Sequence, residues 1–311
     1  MPELRISLLG TSRISWGRAG PPVHLTGPAR MLMSFLVLHR NRTHMRERLA
    51  GLLWGDFEES RARRCFNTAL WRLRKSLAPQ RHAQSPEVLT VTSNEVGFNT
   101  AAPYWLDVAV FDEAARGVLA SEPGSTAAAA VPDLEAALAL YGGELLEDCD
   151  ADWVLPERQR LTDAYIAGLR WLMLHHEHTG SALKAIESGL RLLHVDPLRE
   201  DVHRALIGLY CATGLRQKAL KQYDYCRDVL ASELGVTPAP ETELFCRRIL
   251  AGVKEQVAPQ PRAAGEPRQL MAEALDRLNE AVSALQAASR LIHAADRELY
   301  RGRNASAPRT R

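Results

Sequence analysis

Residues 60–77, SRARRCFNTALWRLRKSL, form the segment that most constrains how this chain can fold. On a helix that turns about 100° per residue, the apolar side chains of Ser60–Leu77 cluster on one face. These apolar side chains are Ala62, Phe66, Ala69, Leu70, Leu73 and Leu77. The segment therefore predicts an amphipathic helix that buries one face in a core and presents a basic face to solvent.

The basic face of this predicted helix carries side chains that suit DNA. Arginine can bond guanine bidentately, asparagine can bond adenine, and threonine offers its methyl group to thymine. We therefore predict that Arg64, Asn67 and Thr68 read bases. The other basic-face residues are predicted to contact the DNA backbone, which holds register without reading sequence; they are Arg61, Trp71, Arg72 and Lys75. An ordinary solvated basic helix is the alternative interpretation.

The segments around this helix predict a winged helix-turn-helix. Short strands bounded by Gly or Pro are expected first, then two helices, the basic helix and a hairpin. A hairpin after the third helix of such a unit is a wing. The predicted strands are Leu4–Leu9, Arg13–Trp16 and Val23–Leu25, the helices run from Pro28 to Leu38 and from Arg46 to Trp54, and the hairpin spans Glu87–Asn99 with a turn at Ser93-Asn94.

The wing and the loop before it add four predicted contacts to the DNA backbone. These are Arg81, Thr90, Thr92 and Ser93. They would touch phosphates or the adjacent minor groove. An ordinary polar hairpin explains the three wing residues equally well, so both interpretations stay open.

The distribution of charge favours a polyanionic partner for the first part of the chain. Residues 1–100 hold 15 Lys and Arg against 7 Asp and Glu, whereas residues 101–256 hold 15 against 24. A basic first part joined to an acidic middle indicates that only the first part meets a polyanion. Chance variation in surface charge is the alternative.

From Tyr104 onward the pattern predicts nearly continuous helix with a weak internal repeat. Gly180 and Gly214 each follow a predicted helix and lie 34 residues apart, as do Ala185 and Ala219; the tetratricopeptide period is also about 34 residues. The predicted helices are Val108–Leu119, Val131–Tyr141, Trp153–Thr179, Ser181–Val195, Arg199–Thr213, Leu215–Leu234 and Pro240–Val253.

The expected fold is mostly α with a small β component, divided into several regions. Residues 1–100 would form the winged helix-turn-helix and residues 104–256 the tetratricopeptide-like helical domain. A Pro-, Ala- and Gly-rich linker at 257–267 would lead to an amphipathic helix at 268–301 and a disordered tail at 302–311. Apolar residues at heptad spacing in 268–301 suit either a short coiled coil between two copies or a helix docked on its own chain.

Motifs for catalysis are missing from the sequence. It contains no Gly-rich phosphate loop, no GxSxG and no HExxH, so we predict no catalytic residue, no metal, no cofactor and no enzyme activity. The sequence also shows no apolar run of membrane-spanning length and no signal-peptide layout. We therefore expect a cytoplasmic protein without a membrane partner.

The order of elements and several longer stretches resemble the SARP family of bacterial activators, named for antibiotic regulatory proteins. LLWGD followed by ARRCFNTALWRLRKSL is similar to the family's second and third helices. The stretches YGGELLEDCDADWVLPERQRL and DPLREDVHRALIGLYCATGLRQKALKQYDYCRDVLASELGVTPAPE are similar to its helical domain. The likeness covers roughly residues 1–253. It implies an OmpR-like winged helix followed by a bacterial transcriptional activator domain (BTAD).

The resemblance also implies a function and partners. Family members bind double-stranded promoter DNA at direct repeats, usually as two copies side by side, and contact RNA polymerase holoenzyme at the bacterial nucleoid. By position, the DNA-facing role falls on Arg64, Asn67, Thr68, Trp71 and Arg72. The alternatives are a tetratricopeptide-type adaptor that binds other proteins and a sensor that binds an effector.

Overall fold

The computed structural model describes residues 3–78, 87–119, 123 and 130–255. The chain divides into two compact units, the first made of Met1–Ser121 and Ala129–Tyr165, and the second of Glu122–Ala128 and Ile166–Arg311. Most of the chain up to Tyr165 therefore belongs to the first compact unit, whereas the sequence predicts a domain boundary near residue 104. The predicted linker, the amphipathic helix at 268–301 and the tail lie outside the described residues.

The strands of the first unit form two three-stranded sheets. The strands are β1 (Leu4–Ser7), β2 (Arg13–Trp16), β3 (His44–Met45), β4 (Leu89–Val91), β5 (Glu95–Phe98) and β6 (Tyr104–Leu106). One sheet has the order β2-β1-β6 and the other β3-β5-β4. The predicted wing is confirmed as the antiparallel β4–β5 hairpin, in which Val91 pairs with Val96.

One predicted strand is absent, and one observed strand was not predicted. The segment Val23–Leu25 is not a strand; beside β2 there is only an isolated bridge between Ser15 and Pro22 and one bond from the Val23 N–H to the Ile14 carbonyl at 2.7 Å. The strand β6 was not predicted; it pairs in parallel with β1, a partner about 100 positions earlier in the chain. Directly after β6, Asp107 accepts hydrogen bonds from the N–H groups of Leu8 and Leu9 at 2.7 and 2.9 Å. This buried carboxylate connects the end of β1 to the next helix.

The helices agree closely with the sequence pattern. They are α1 (Gly27–Leu38), α2 (Arg46–Leu53), α3 (Glu59–Leu77), α4 (Asp107–Leu119), α5 (Val131–Ala139), α6 (Leu155–His178), α7 (Ala182–Val195), α8 (Glu200–Ala212), α9 (Arg216–Leu234) and α10 (Pro240–Glu255). Every predicted apolar-face residue of α3 is buried. The edge of Trp54, just after α2, meets Phe66 of α3 with 6.2 Å between ring centroids. The mostly α fold with a small β component is thus confirmed.

The predicted repeat is visible in the second unit, where two helices end in the same way. Gly180 and Gly214 both have left-handed backbone, with φ of 75° and 79°, a conformation that glycine adopts without a Cβ penalty. After each glycine, the next N–H bonds to a carbonyl five residues earlier. These bonds run from Ser181 to His176 and from Leu215 to Tyr210, both at 2.7 Å. The 34-residue spacing therefore marks two equivalent helix ends.

Small residues allow the helices of this repeat to approach closely. Ala185 and Ala219, which also lie 34 residues apart, are both buried. The packing around Gly189 on α7 is tighter still. A Cβ at this position would lie 2.8 Å from Leu206 Cδ2 and 3.1 Å from Met173 Sδ. A side chain at this position would have to displace packed core atoms.

We expect Gly189→Ala to lower the free energy of unfolding of the helical unit by about 1–3 kcal/mol, because overpacking forces neighbouring side chains from their rotamers. Gly208→Ala is the matched control on α8, where the added Cβ would lie at an ordinary 3.5 Å from Phe245 Cζ. That change should be neutral or stabilising by up to about 1 kcal/mol. Denaturant unfolding measures both variants; equal effects would contradict the packing explanation.

A buried histidine joins α8 to α9. His203 is fully buried; its Nδ1 accepts a hydrogen bond from Gln222 Nε2 at 2.7 Å, and its Nε2–H donates to the Pro197 carbonyl at 3.0 Å. These two contacts use the neutral ring with its proton on Nε2. Burial lowers the pKa of His203 below its ordinary value.

Because the pKa of His203 is lowered on folding, the unfolded chain takes up the proton first. The stabilisation is present above the unfolded-state pKa of about 6.5 and is lost as pH falls below it. We expect the protection factors of the α8 and α9 amides, corrected for the intrinsic pH dependence of exchange, to fall between pH 7 and pH 5.5. His203→Gln should flatten this pH dependence even if its basal exchange is faster. If protection in His203→Gln depended on pH as strongly as in the wild type, groups other than His203 would be responsible.

Candidate nucleic-acid interface

The predicted DNA-facing residues of α3 form one exposed surface. Arg64, Asn67, Thr68, Trp71 and Arg72 are all exposed. The Trp71 side chain is 60% exposed, and Lys75 Nζ lies 5.0 Å from the centroid of its ring. The apolar side chains on the opposite face of α3 are buried, whereas the indole of Trp71 is exposed. Such an exposed aromatic ring is suited to contact with a ligand.

The polar and charged side chains of this surface differ in whether they already contact other groups of the protein. Among the described residues, the side chains of Arg64 and Arg72 make no hydrogen bond or ion pair. Arg61 lies over the ring of Phe57, 4.3 Å from its centroid. Thr68 donates its hydroxyl hydrogen to the Arg64 carbonyl at 2.9 Å, which leaves the methyl group and the oxygen lone pairs available. Two guanidinium groups are thus available to an incoming acceptor.

Arg46, at the start of α2, connects the surface of α3 to the wing and was not predicted as a site residue. Its Nη2 donates to Asn67 Oδ1 at 2.8 Å. Its Nη1 donates to the carbonyls of Thr92 and Ser93 at 3.3 and 3.2 Å. Its backbone N–H donates to the Asn94 carbonyl at 2.9 Å. One side chain therefore holds α3 and the tip of the wing together.

One signal in the sequence could have drawn attention to Arg46. A cation in the first turn of a helix faces the positive end of the helix dipole, which is unfavourable. Arg46 is the first residue of α2, so a contact that offsets this unfavourable position was worth looking for. The partners themselves are 21 to 47 positions away in the chain, and only the tertiary structure identifies them.

The wing turn uses one of the predicted contact residues for its own stability. Thr92 Oγ1 accepts a hydrogen bond from the Glu95 N–H at 3.0 Å, while the Thr92 N–H donates to the Glu95 carbonyl at 2.9 Å. Thr90 and Ser93 are exposed. The Thr92 hydroxyl therefore shapes the wing turn, whereas Thr90 and Ser93 face outward. Arg81 lies outside the described residues.

Two clefts flank the contact between Arg46 and Asn67. One has a volume of about 480 Å³ between α3 and the wing, and also includes Trp71, Arg74 and Lys75. The other has a volume of about 500 Å³ on the opposite side. Both Arg46 and Asn67 line both clefts. Arg74 joins the basic surface here, although the sequence pattern did not single it out.

Other kinds of site have little support among the described residues. No group of three or more His, Cys, Asp or Glu side chains there could hold a metal ion. Within the same ranges, no helix has the length and apolar character needed to cross a membrane.

Comparisons with known proteins identify the class of protein that the chain resembles. A family model described as bacterial transcriptional activator domain matches residues 106–250. The regulatory protein AfsR of Streptomyces coelicolor is 29% identical over 248 residues, which cover 79% of this chain and 24% of AfsR. The transcriptional regulatory protein MoaR1 of Mycobacterium tuberculosis is 26% identical over 234 residues, which cover 72% of each chain.

These matches support the predicted resemblance to SARP-family regulators. AfsR is named a regulatory protein and MoaR1 a transcriptional regulatory protein, and the matched domain is a transcriptional activator domain, in agreement with the prediction of a regulator and not an enzyme. The chain spans only 24% and 30% of the two AfsR proteins that it resembles.

A solved structure of Mycobacterium tuberculosis EmbR, in complex with a low-affinity phosphopeptide, has a similar fold. The TM-score is 0.58 at 24% identity, and the match covers 90% of this chain and 72% of that one. This likeness supports the fold described above.

We expect Thr92→Val to destabilise the wing turn by about 1 kcal/mol, because the change keeps the shape of the side chain but removes the hydroxyl acceptor. Hydrogen exchange at the Glu95 amide should accelerate about fivefold, as such a free-energy change implies. Thr90→Val is the matched control, since the Thr90 side chain is exposed on β4. The same acceleration in both variants would argue against a specific role for the Thr92 hydroxyl.

Proposed function

We propose that this chain, which resembles SARP-family regulators, is a sequence-specific transcription regulator that binds double-stranded promoter DNA through α3 and the β4–β5 wing. The observation that supports this most directly is the exposed stripe on α3. Arg64 and Arg72 lack partners there among the described residues, and Trp71 is mostly exposed between them. An amphipathic helix with such a face, followed by a wing, suits the major groove.

Three residues of the stripe are proposed to read bases. Arg64 has a free guanidinium that can bond guanine bidentately. Thr68 presents its methyl group outward, because its hydroxyl hydrogen is directed to the helix backbone. Asn67 offers an amide at the centre of the stripe, between the two clefts.

The remaining predicted residues are proposed to contact the DNA backbone and so fix the register. They are Arg61, Trp71, Arg72, Lys75, Arg81, Thr90, Thr92 and Ser93. Trp71 and Lys75 contact each other, so the flat indole would lie along a sugar while the ammonium meets a phosphate. Thr92 would act mainly by shaping the wing, because its hydroxyl already accepts a hydrogen bond in the turn.

The wider assignments follow from the resemblance to the family and stay proposals. Residues 1–100 would form the DNA-binding domain and residues 104–256 the activator domain, with a separate amphipathic helix at 268–301. Two copies would bind direct repeats side by side, as a homodimer on DNA, and would contact RNA polymerase holoenzyme to activate transcription. This activity would take place in the cytoplasm, at the nucleoid.

A second candidate function has one observation in its favour. An apolar cavity of about 230 Å³ lies among α8, α9 and α10, with Ile207, Leu220 and Ile249 in its wall and Arg216 beside them. A cavity of this kind suits a small apolar effector with an anionic group. The second candidate is therefore an effector sensor, or an adaptor that binds a partner at the same place. An adaptor alone would enrich no particular sequence from a random DNA library, whereas a regulator would.

The DNA proposal predicts different effects for two arginines on α3. Arg64→Met should weaken binding to the selected site by about 1–3 kcal/mol and relax preference at one base pair. Arg72→Met should weaken binding to specific and nonspecific DNA alike, and should reduce the slope of log affinity against log salt by about 1. Titration of labelled DNA with the full chain at several salt concentrations measures both.

Arg13→Met serves as the matched control, since Arg13 is exposed on β2, away from α3 and the wing in the chain. It should leave the base preference unchanged. If the wild-type chain enriches no sequence from a random library, the proposed function is wrong. If Arg64→Met and Arg72→Met behave alike, their division into base-reading and backbone roles is wrong.

A further inference from the structure

The contact between Arg46 and Asn67 settles which way the amide of Asn67 points. A guanidinium has only N–H donors and no acceptor. Arg46 Nη2 lies 2.8 Å from the Asn67 amide, so the atom facing it must be the oxygen Oδ1. The Nδ2 amino group therefore lies on the other side of the amide.

The guanidinium of Arg46 is held on several sides. Besides Asn67 it donates to the carbonyls of Thr92 and Ser93, and it lies over the ring of Phe66, 5.7 Å from its centroid. Phe66 is part of the buried face of α3. Because these partners belong to the core and to the wing, they hold the guanidinium of Arg46 in place independently of Asn67.

This geometry changes which base edge Asn67 can recognise. Bidentate recognition of adenine needs both amide groups, since the oxygen accepts from N6 and the amino group donates to N7. Oδ1 keeps a second lone pair, but a bond from adenine N6 would have to share this oxygen with the charged donor Arg46. The N–H donors of Nδ2, by contrast, have no partner among the described residues. The acceptor that adenine and guanine share in the major groove is N7.

We propose that Arg46 is a specificity-determining positioning residue, which occupies Asn67 Oδ1 so that Asn67 donates to the N7 of a purine and accepts either adenine or guanine. This inference rests on the proposed function, because it concerns how α3 reads DNA. It refines the prediction that Asn67 reads a base by stating which base atom it contacts. Arg46 itself touches no base in this arrangement and acts through Asn67.

The first experiment changes the DNA and leaves the protein intact. The base pair contacted by Asn67 is identified as the one whose preference disappears in Asn67→Ala. At that position, wild-type protein should bind adenine and guanine sites within about threefold of each other. Replacing either purine by its 7-deaza form, which has C–H in place of N7, should weaken binding about tenfold, as expected for loss of a specific base contact. Strong preference for adenine, or indifference to 7-deaza substitution, would overturn the inference.

The second experiment releases Asn67 by changing Arg46. In Arg46→Met the Asn67 amide becomes free to bond N6 and N7 together, so adenine should be favoured over guanine at that base pair by about tenfold. Arg46→Lys keeps the charge. Its single ammonium group lacks the planar, several-donor guanidinium that bonds Asn67 and the wing carbonyls together. We expect it to shift the preference in the same direction by a smaller factor.

Arg48→Met is the matched control for loss of charge, since Arg48 is exposed on α2 two residues away. It should leave the adenine-to-guanine ratio unchanged. The inference would be wrong if Arg46→Met lowered the affinity for every site equally and reduced the salt slope, because Arg46 would then be a phosphate contact. If Arg46→Met does not fold, the 7-deaza measurement still decides the question. Absence of sequence-specific binding by wild type would instead remove the proposed function.

Discussion

Burial of the apolar face of α3 is the interaction on which the first unit depends. Six side chains of this helix, among them Phe66 and Leu73, enter the core, and the opposite face is thereby turned to solvent. A rigid helix cannot bury the one face without presenting the other. Burial thus stabilises the unit and at the same time orients Arg64, Asn67 and Thr68 for the proposed contact with DNA.

Arg46 extends this control from α3 to the wing. The apolar core determines where the α3 backbone lies, but it does not decide which atoms of an exposed amide face outward. That choice depends on a donor placed by α2, which also bonds two carbonyls at the wing tip. The helix and the wing are consequently coupled through one guanidinium, and a change in the position of either element would alter what Asn67 offers to a base.

The helices and the repeat were predictable because they depend on local regularities. The six apolar positions of α3 and the 34-residue spacing of Gly180 and Gly214 are both written in the order of residues, and the two glycines have nearly the same left-handed φ. The short strand β6 and the non-strand at Val23–Leu25 were less predictable. Pairing with β1 depends on a partner about 100 positions away, and three residues are too few to show a period.

The sequence by itself determined the resemblance to SARP-family regulators, the mostly α fold and the two faces of α3, since periodicity and motif spacing are properties of the chain order. It also placed the candidate DNA-facing residues on one helix face and the wing hairpin after it. Only the tertiary structure decided that Arg46 bonds Asn67 and that Thr92 closes the wing turn. Hydrogen bonds depend on distances of about 3 Å and on direction, and residues far apart in sequence meet at such distances only after the chain has folded.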